Sequence, residues 1–188
     1  DTWGDANYWV DPVFTAGSAP ANPPATYTLY NGAANPGLPW YPDSTPITLG
    51  MKFRADIAGT VSAIRFYKGA SGNNGSHIAL LYNTAGQLLA QAPFTGETAS
   101  GWQTVNLPAP VSIAANTTYI AAYYTTSGYA TSLGYFTTGG ADSAPLHALR
   151  SGVEGGNGVY RYGNAPAFPT DTWGDANYWL DILFTPAQ

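Results

Sequence analysis

Apolar and polar residues alternate through the middle and end of this chain. The run ITLGMKFRA (47–55) comes first. In GTVSAIRFYKG (59–69) alternation puts Thr60, Ser62, Ile64 and Phe66 on one face and Val61, Ala63, Arg65 and Tyr67 on the other. SHIALLYN groups Ile78, Leu80 and Tyr82; GQLLAQAPF groups Leu88, Ala90, Ala92 and Phe94; WQTVNL groups Val105 and Leu107. TTYIAAYYTT sets Tyr119, Ala121 and Tyr123 against Ile120, Ala122 and Tyr124. At the end, Tyr178, Leu180, Ile182 and Phe184 alternate with Trp179, Asp181 and Leu183. A period of two is that of a strand with a face on a core.

The segments between these runs carry turn chemistry. YNTAGQ turns at Gly86, and SGNNG is rich in residues that tolerate left-handed backbone. YTLYN (27–31) predicts a first strand, and the Pro-rich GAANPGLPWYPDSTP predicts an irregular surface loop. Leu146 and Leu149 in SAPLHALR, three apart, predict a single helical turn; residues 152–170 predict loop with a short strand over Val159–Tyr162. Short strands, regular turns and no long helix predict an all-β fold, an antiparallel β-sandwich. Jelly-roll-like connectivity is favoured over immunoglobulin-like, because the terminal strand resembles a core strand and the loops are long.

DTWGDANYWV at Asp1 returns as DTWGDANYWL at Asp171, and the match continues through Asp11 and Asp181 to Phe14-Thr15 and Phe184-Thr185. That separation suits a whole domain rather than a solenoid repeat. Residues 1–15 are therefore expected to be the terminal strand of a preceding tandem repeat, 16–25 a Pro/Ala linker, and 26–188 a single β-sandwich domain. Adjacent copies of the repeat are expected partners. Residues 1–15 are expected to be disordered, to add to an exposed edge, or to enter a neighbouring copy by strand exchange.

Composition narrows the function. Charged residues make up 9% of the chain and the net charge is −5. Six basic residues and no basic patch argue against nucleic acid and against anionic membranes. No apolar run reaches membrane-spanning length, so membrane insertion is not expected. Cysteine is absent, which removes disulfide frameworks and thiolate metal sites. A surface of Asn, Thr, Ser, Gln, Gly and Tyr suits an extracellular protein that meets neutral polar ligands.

LGMKFRADIAGTVSAIRFYKG, GSH, LLYNTAGQLLAQAPFTGETASGWQTVNLPAPVSIAANTTYIAAYY, PLHAL, GGNGVYRYG with FP, and NYWLDILF together resemble the bacterial extracellular domain family DUF4082. The resemblance covers nearly all of residues 47–184. It implies a secreted, non-catalytic module, commonly repeated in large bacterial surface proteins beside carbohydrate-active or immunoglobulin-like domains. It brings no family active site to carry over.

The candidate chemistry is aromatic. The chain has 14 Tyr, 7 Phe and 6 Trp, and such rings stack on sugars while their polar tips hydrogen-bond. Trp40 and Tyr41 lie in the Pro-rich loop, Tyr129 and Tyr135 flank ATSLG, and Tyr160 and Tyr162 alternate so that both face one side; Arg161 supplies a planar donor beside them. Trp102 and Trp179 read as core or loop-pinning residues. Asp171 and Asp175 are weak calcium candidates. His77 and His147 could form a metal site with Asp142 or Glu154, or pin loops. Asp142 and Glu154 are the paired carboxylates a glycosidase would need, but no Gly-x-Ser-x-Gly elbow or thiol nucleophile is present, so no enzyme is expected.

Two readings stand. One is an extracellular carbohydrate-binding or adhesion module, with a neutral glycan on coplanar exposed aromatics in a shallow groove. The other is a structural spacer repeat of a bacterial surface protein without a ligand, secreted or held at the cell surface.

Overall fold

The computed structural model describes residues 25–69 and 73–187; the expected ribbon 1–15 and nearly all of the linker lie outside them. Thirteen strands follow in order: β1 (Leu38–Tyr41), β2 (Ile47–Ala55), β3 (Gly59–Lys68), β4 (His77–Asn83), β5 (Leu88–Pro93), β6 (Gly101–Ile113), β7 (Tyr119–Thr125), β8 (Tyr129–Thr131), β9 (Ala141–Ser143), β10 (Leu146–Ala148), β11 (Val159–Tyr162), β12 (Asp171–Thr172) and β13 (Leu180–Pro186). The fold is an all-β sandwich of antiparallel sheets, without a helix among the described residues.

The larger sheet runs β12-β11-β2-β7-β4-β5, with the β9–β10 hairpin also paired to β2. The smaller sheet runs β13-β3-β6, and β1 with β8 makes a two-stranded ribbon. The alternation in β7 has a direct structural meaning. Tyr119, Ala121 and Tyr123 join the core between the sheets. Ile120, Ala122 and Tyr124 join a second cluster on the outer face with Leu80, Tyr82 and Val159. Phe168 packs there edge-on against Tyr82 at 5.3 Å. β7 is thus buried on both faces, which is why it has no polar side.

Several local expectations change. In β3 the core side chains are Val61, Ile64 and Phe66, whereas Thr60 and Ser62 are partly exposed. Register shifts against both β6 and β13 fall at Ser62; the bulge moves the inward phase by one residue. A shift between Leu81 and Tyr82 likewise leaves Leu88 exposed on β5. SAPLHALR is a β-hairpin rather than a helical turn: Leu146 and Ala148 are buried, His147 between them is not, and the turn falls at Ala144–Pro145.

The Pro-rich loop contains β1, which pairs Tyr41 with Tyr129 and Leu38 with Thr131. Pro39 is tolerated because a two-stranded ribbon asks for donors on one edge only. Residues 27–31 are not a full strand. Tyr27 pairs singly with Phe184, and the Leu29 and Tyr30 amides donate to the Asp181 carboxylate at 2.8 and 3.1 Å. Arg65 binds the same carboxylate at 2.6 Å, donates to the Tyr30 carbonyl, and lies 4.6 Å from the Trp102 ring centre. Burial pushes the Asp181 carboxyl up from its usual range, and Arg65 and the two amides pull against that rise.

Candidate functional site

β1 and β8 meet the β11–β12 end of the larger sheet around an open cavity of about 440 Å³, lined by residues 41–44, Ile47, Tyr129, Tyr160, Tyr162, Trp173 and Tyr178. That volume is in the range of about 300–1,000 Å³ common for small-molecule sites. Each wall has a local cause. Tyr41 and Tyr129 are directly opposed across the ribbon and stack at 5.3 Å. Tyr160 and Tyr162 share a face of β11, ring centres 5.6 Å apart. Trp173 stands in the turn after β12 and is 42% exposed, while Tyr162 is 47% exposed. Tyr129 and Tyr178, 3% and 1% exposed, form the inner wall.

Only Tyr41 and Tyr129 lie near-parallel, at 25°, and because Tyr129 is buried the rings do not form the exposed coplanar platform that was expected. Interplanar angles are 62° between Tyr41 and Trp173, 75° between Tyr160 and Tyr162, and 84° between Tyr129 and Tyr178. The site is a walled box. Asp43 supplies its carboxylate: Oδ2 accepts from the Tyr162 hydroxyl at 2.7 Å and Oδ1 from the Thr45 amide at 2.8 Å. The hydrogen bond to Asp43, followed by burial, pushes the Tyr162 phenol up to about 12. Burial, then the neighbouring phenols, raises Tyr178. Burial raises Tyr129 as well, assisted by Tyr162, Tyr178, Asp43 and Tyr41. These three phenols stay protonated at neutral pH.

Four of the seven aromatic-site candidates meet in this cavity: Tyr41, Tyr129, Tyr160 and Tyr162. Three do not. Trp40 precedes Tyr41 on the strand and so takes the opposite face; its indole lies against the bare Cα of Gly128, where a Cβ would overlap it. Tyr135 turns inward to Trp179 at 5.8 Å and Phe136 at 5.0 Å. Arg161, between the two tyrosines of β11, points the other way and donates to Thr170 Oγ1 at 3.3 Å. Asp43, Trp173 and Tyr178 were not anticipated. Trp173 had a signal, since an indole in a Gly/Asp turn has little to bury against.

Asp171 and Asp175 each meet a threonine hydroxyl, Thr170 at 3.4 Å and Thr137 at 3.1 Å. Among the described residues no three His, Asp or Glu side chains converge as metal ligands. The histidines are apart. Asp142 is held by His147 and Glu154 by Arg54.

His77 Nδ1 lies 2.8 Å from Glu97 and Nε2 lies 2.7 Å from the Asn73 side-chain oxygen. A cavity of about 490 Å³ adjoins it, but Lys68 binds Glu97 at 2.9 Å, so its charges already satisfy one another. His147 lies between Asp142 at 2.7 Å and Asp56 at 2.9 Å. The hydrogen bonds to Asp56 and then Asp142 raise its pKa. Burial lowers that of His77, with Glu97 opposing.

The two histidines have opposite linkage. His147 adds stability that is complete below the unfolded value of about 6.5 and is lost as pH rises through its raised folded value. His77 costs stability as pH falls below about 6.5 towards its lowered folded value. In an NMR titration of the imidazole C–H signals, His147 is expected to titrate at higher pH than His77. His147→Gln should remove the first dependence from the urea midpoint and leave the second.

Together the fold and cavity define an all-β sandwich module with an aromatic-walled pocket at one end of its larger sheet. Residues 33–180 match the family model described as Domain of unknown function (DUF4082), and the chain belongs to that family. Comparison with curated proteins gives no match.

Proposed function

We propose that the chain is a non-catalytic, extracellular ligand-binding module that takes a saccharide unit of a glycan into the aromatic cavity. The observation that carries this is convergence. Tyr41, Tyr129, Tyr160, Tyr162, Trp173 and Tyr178 come from four separate segments to line one open cavity, though a core-only role would have turned Tyr162 and Trp173 inward. Aromatic faces pack against the C–H faces of a sugar ring while phenols and Asp43 bond its hydroxyls. On this reading the module belongs to a secreted or surface protein; the 9% content of charged residues supports that setting, and the return of DTWGDANYW from Asp1 at Asp171 supports further copies beside it.

A spacer role has its own support. Buried Tyr30 and Trp179 pack with the partly buried Trp102 and Tyr135, so much of the aromatic content serves the fold. A glycan array with the whole chain, followed by titration of its hits, separates the two. The expected result is saccharide binding that Trp173→Ala weakens about ten-fold, the loss expected for one stacking ring. Silence across the array favours the spacer.

A further inference from the structure

The chemistry of the same cavity says more about its ligand than its aromatic content does. We infer that the aromatic box and the Asp43 carboxylate select a ligand carrying an ammonium group, rather than a wholly neutral one. This rests on the reading that the cavity binds a ligand, and it names the ligand's charge.

The first argument is shape. Rings meeting at 62°, 75° and 84° enclose a volume from several sides, whereas a sugar ring alone is served by one flat face. Phenol and indole faces carry negative quadrupole charge, and walls of this kind are how proteins hold alkylammonium groups. The second is charge. Asp43 forms no salt bridge among the described residues, and its Oδ atoms meet only the uncharged Tyr162 hydroxyl and Thr45 amide.

The third is where the cations are. None of Lys52, Arg54, Arg65, Lys68, Arg150 and Arg161 lines the cavity, nor does either histidine. Four of those six are committed elsewhere: Arg54 to Glu154, Arg65 to Asp181, Lys68 to Glu97, and Lys52 to the Glu154 carbonyl at 2.6 Å. The cavity is thus left negative in a chain of net charge −5. Of the raised phenols, only Tyr162 reports the carboxylate, because its hydrogen bond to Asp43 is the first cause of its shift, whereas burial is the first cause at Tyr129 and Tyr178. A quaternary ammonium of the choline type and the amine of an unacetylated amino sugar share this chemistry.

The test is calorimetric titration of the whole chain with two matched pairs. Choline is compared with 3,3-dimethylbutan-1-ol, its uncharged isostere, and glucosamine with glucose. In at least one pair the cation is expected to bind about ten-fold tighter or more, as one desolvated cation–π and carboxylate contact provides. Asp43→Asn should bring that ratio towards one. A larger ratio for choline assigns a quaternary ammonium, and a larger ratio for glucosamine an amino sugar.

Equal affinities within both pairs overturn the inference. Binding of glucose with no preference for glucosamine or choline does the same, while leaving the saccharide reading standing. No binding by any of the four overturns the inference too. The paired comparison uses the unaltered chain, so it stands whether or not the Asp43 variant folds.

Discussion

Asp181→Ala is expected to destabilise the domain by about 3–5 kcal/mol, the usual cost of leaving one partner of a buried ion pair alone. The carboxylate has no exposure to solvent. It holds Arg65 through Nε at 3.0 Å and Nη2 at 2.6 Å, and accepts from the Leu29, Tyr30 and Ile182 amides. Removing it strands a guanidinium beside Trp102 and leaves three amides unpaired, two of which fasten the segment entering the sandwich. Asp181→Asn keeps the volume and one acceptor oxygen, so its loss should be smaller. Urea denaturation of both variants checks this. A loss under about 1 kcal/mol for the alanine variant would mean that the ion pair is dispensable.

Gly158→Ala is expected to cost more than about 3 kcal/mol and to abolish ligand binding. Gly158 has φ of 74°, and a non-glycine residue held there costs about 1–3 kcal/mol. A methyl group would also overlap the Ala176 carbonyl, which adds to that strain. The position matters for the site. Gly158 leads into β11, and its amide donates at 2.7 Å to the side chain of Asn157. That buried Asn also bonds the Lys52 amide and carbonyl and the Leu149 carbonyl. Moving this corner moves Tyr160 and Tyr162. Thermal unfolding and titration of the variant are the checks; a stable variant with undiminished binding would show that β11 does not depend on this corner.

The parts of the fold that sequence revealed are those where alternation is local. Strands β2 and β7 fell where the apolar runs placed them, because each has at least one wholly buried face. Bulges were hidden, since a register shift depends on the partner strand rather than on the strand that bends. β1 was hidden behind its prolines. The β9–β10 hairpin was hidden because Leu146 and Leu149, three apart, imitate a helical spacing.

The site was legible in half. Tyr160 and Tyr162 were found by alternation, and Tyr41 and Tyr129 by their place in loops. Asp43 and Trp173, 130 positions apart in sequence, meet only through the fold. Tyr178 looked like a core residue and is one: its ring is buried among the strands and still lines the cavity. Trp173 lies in the duplicated segment, whose strand-like repeat gives no sign that its indole is exposed.

The proposed ligand seat is the cavity walled by Tyr41, Tyr160, Tyr162 and Trp173. Two-dimensional NMR of the isotope-labelled chain, titrated with glucose, glucosamine and choline, tests it most directly. Shifts are expected to concentrate at residues 41–44, at 160–162 and at the Trp173 indole. Spectra unchanged by all three compounds, or shifts centred instead on Lys68, His77 and Glu97, would contradict it.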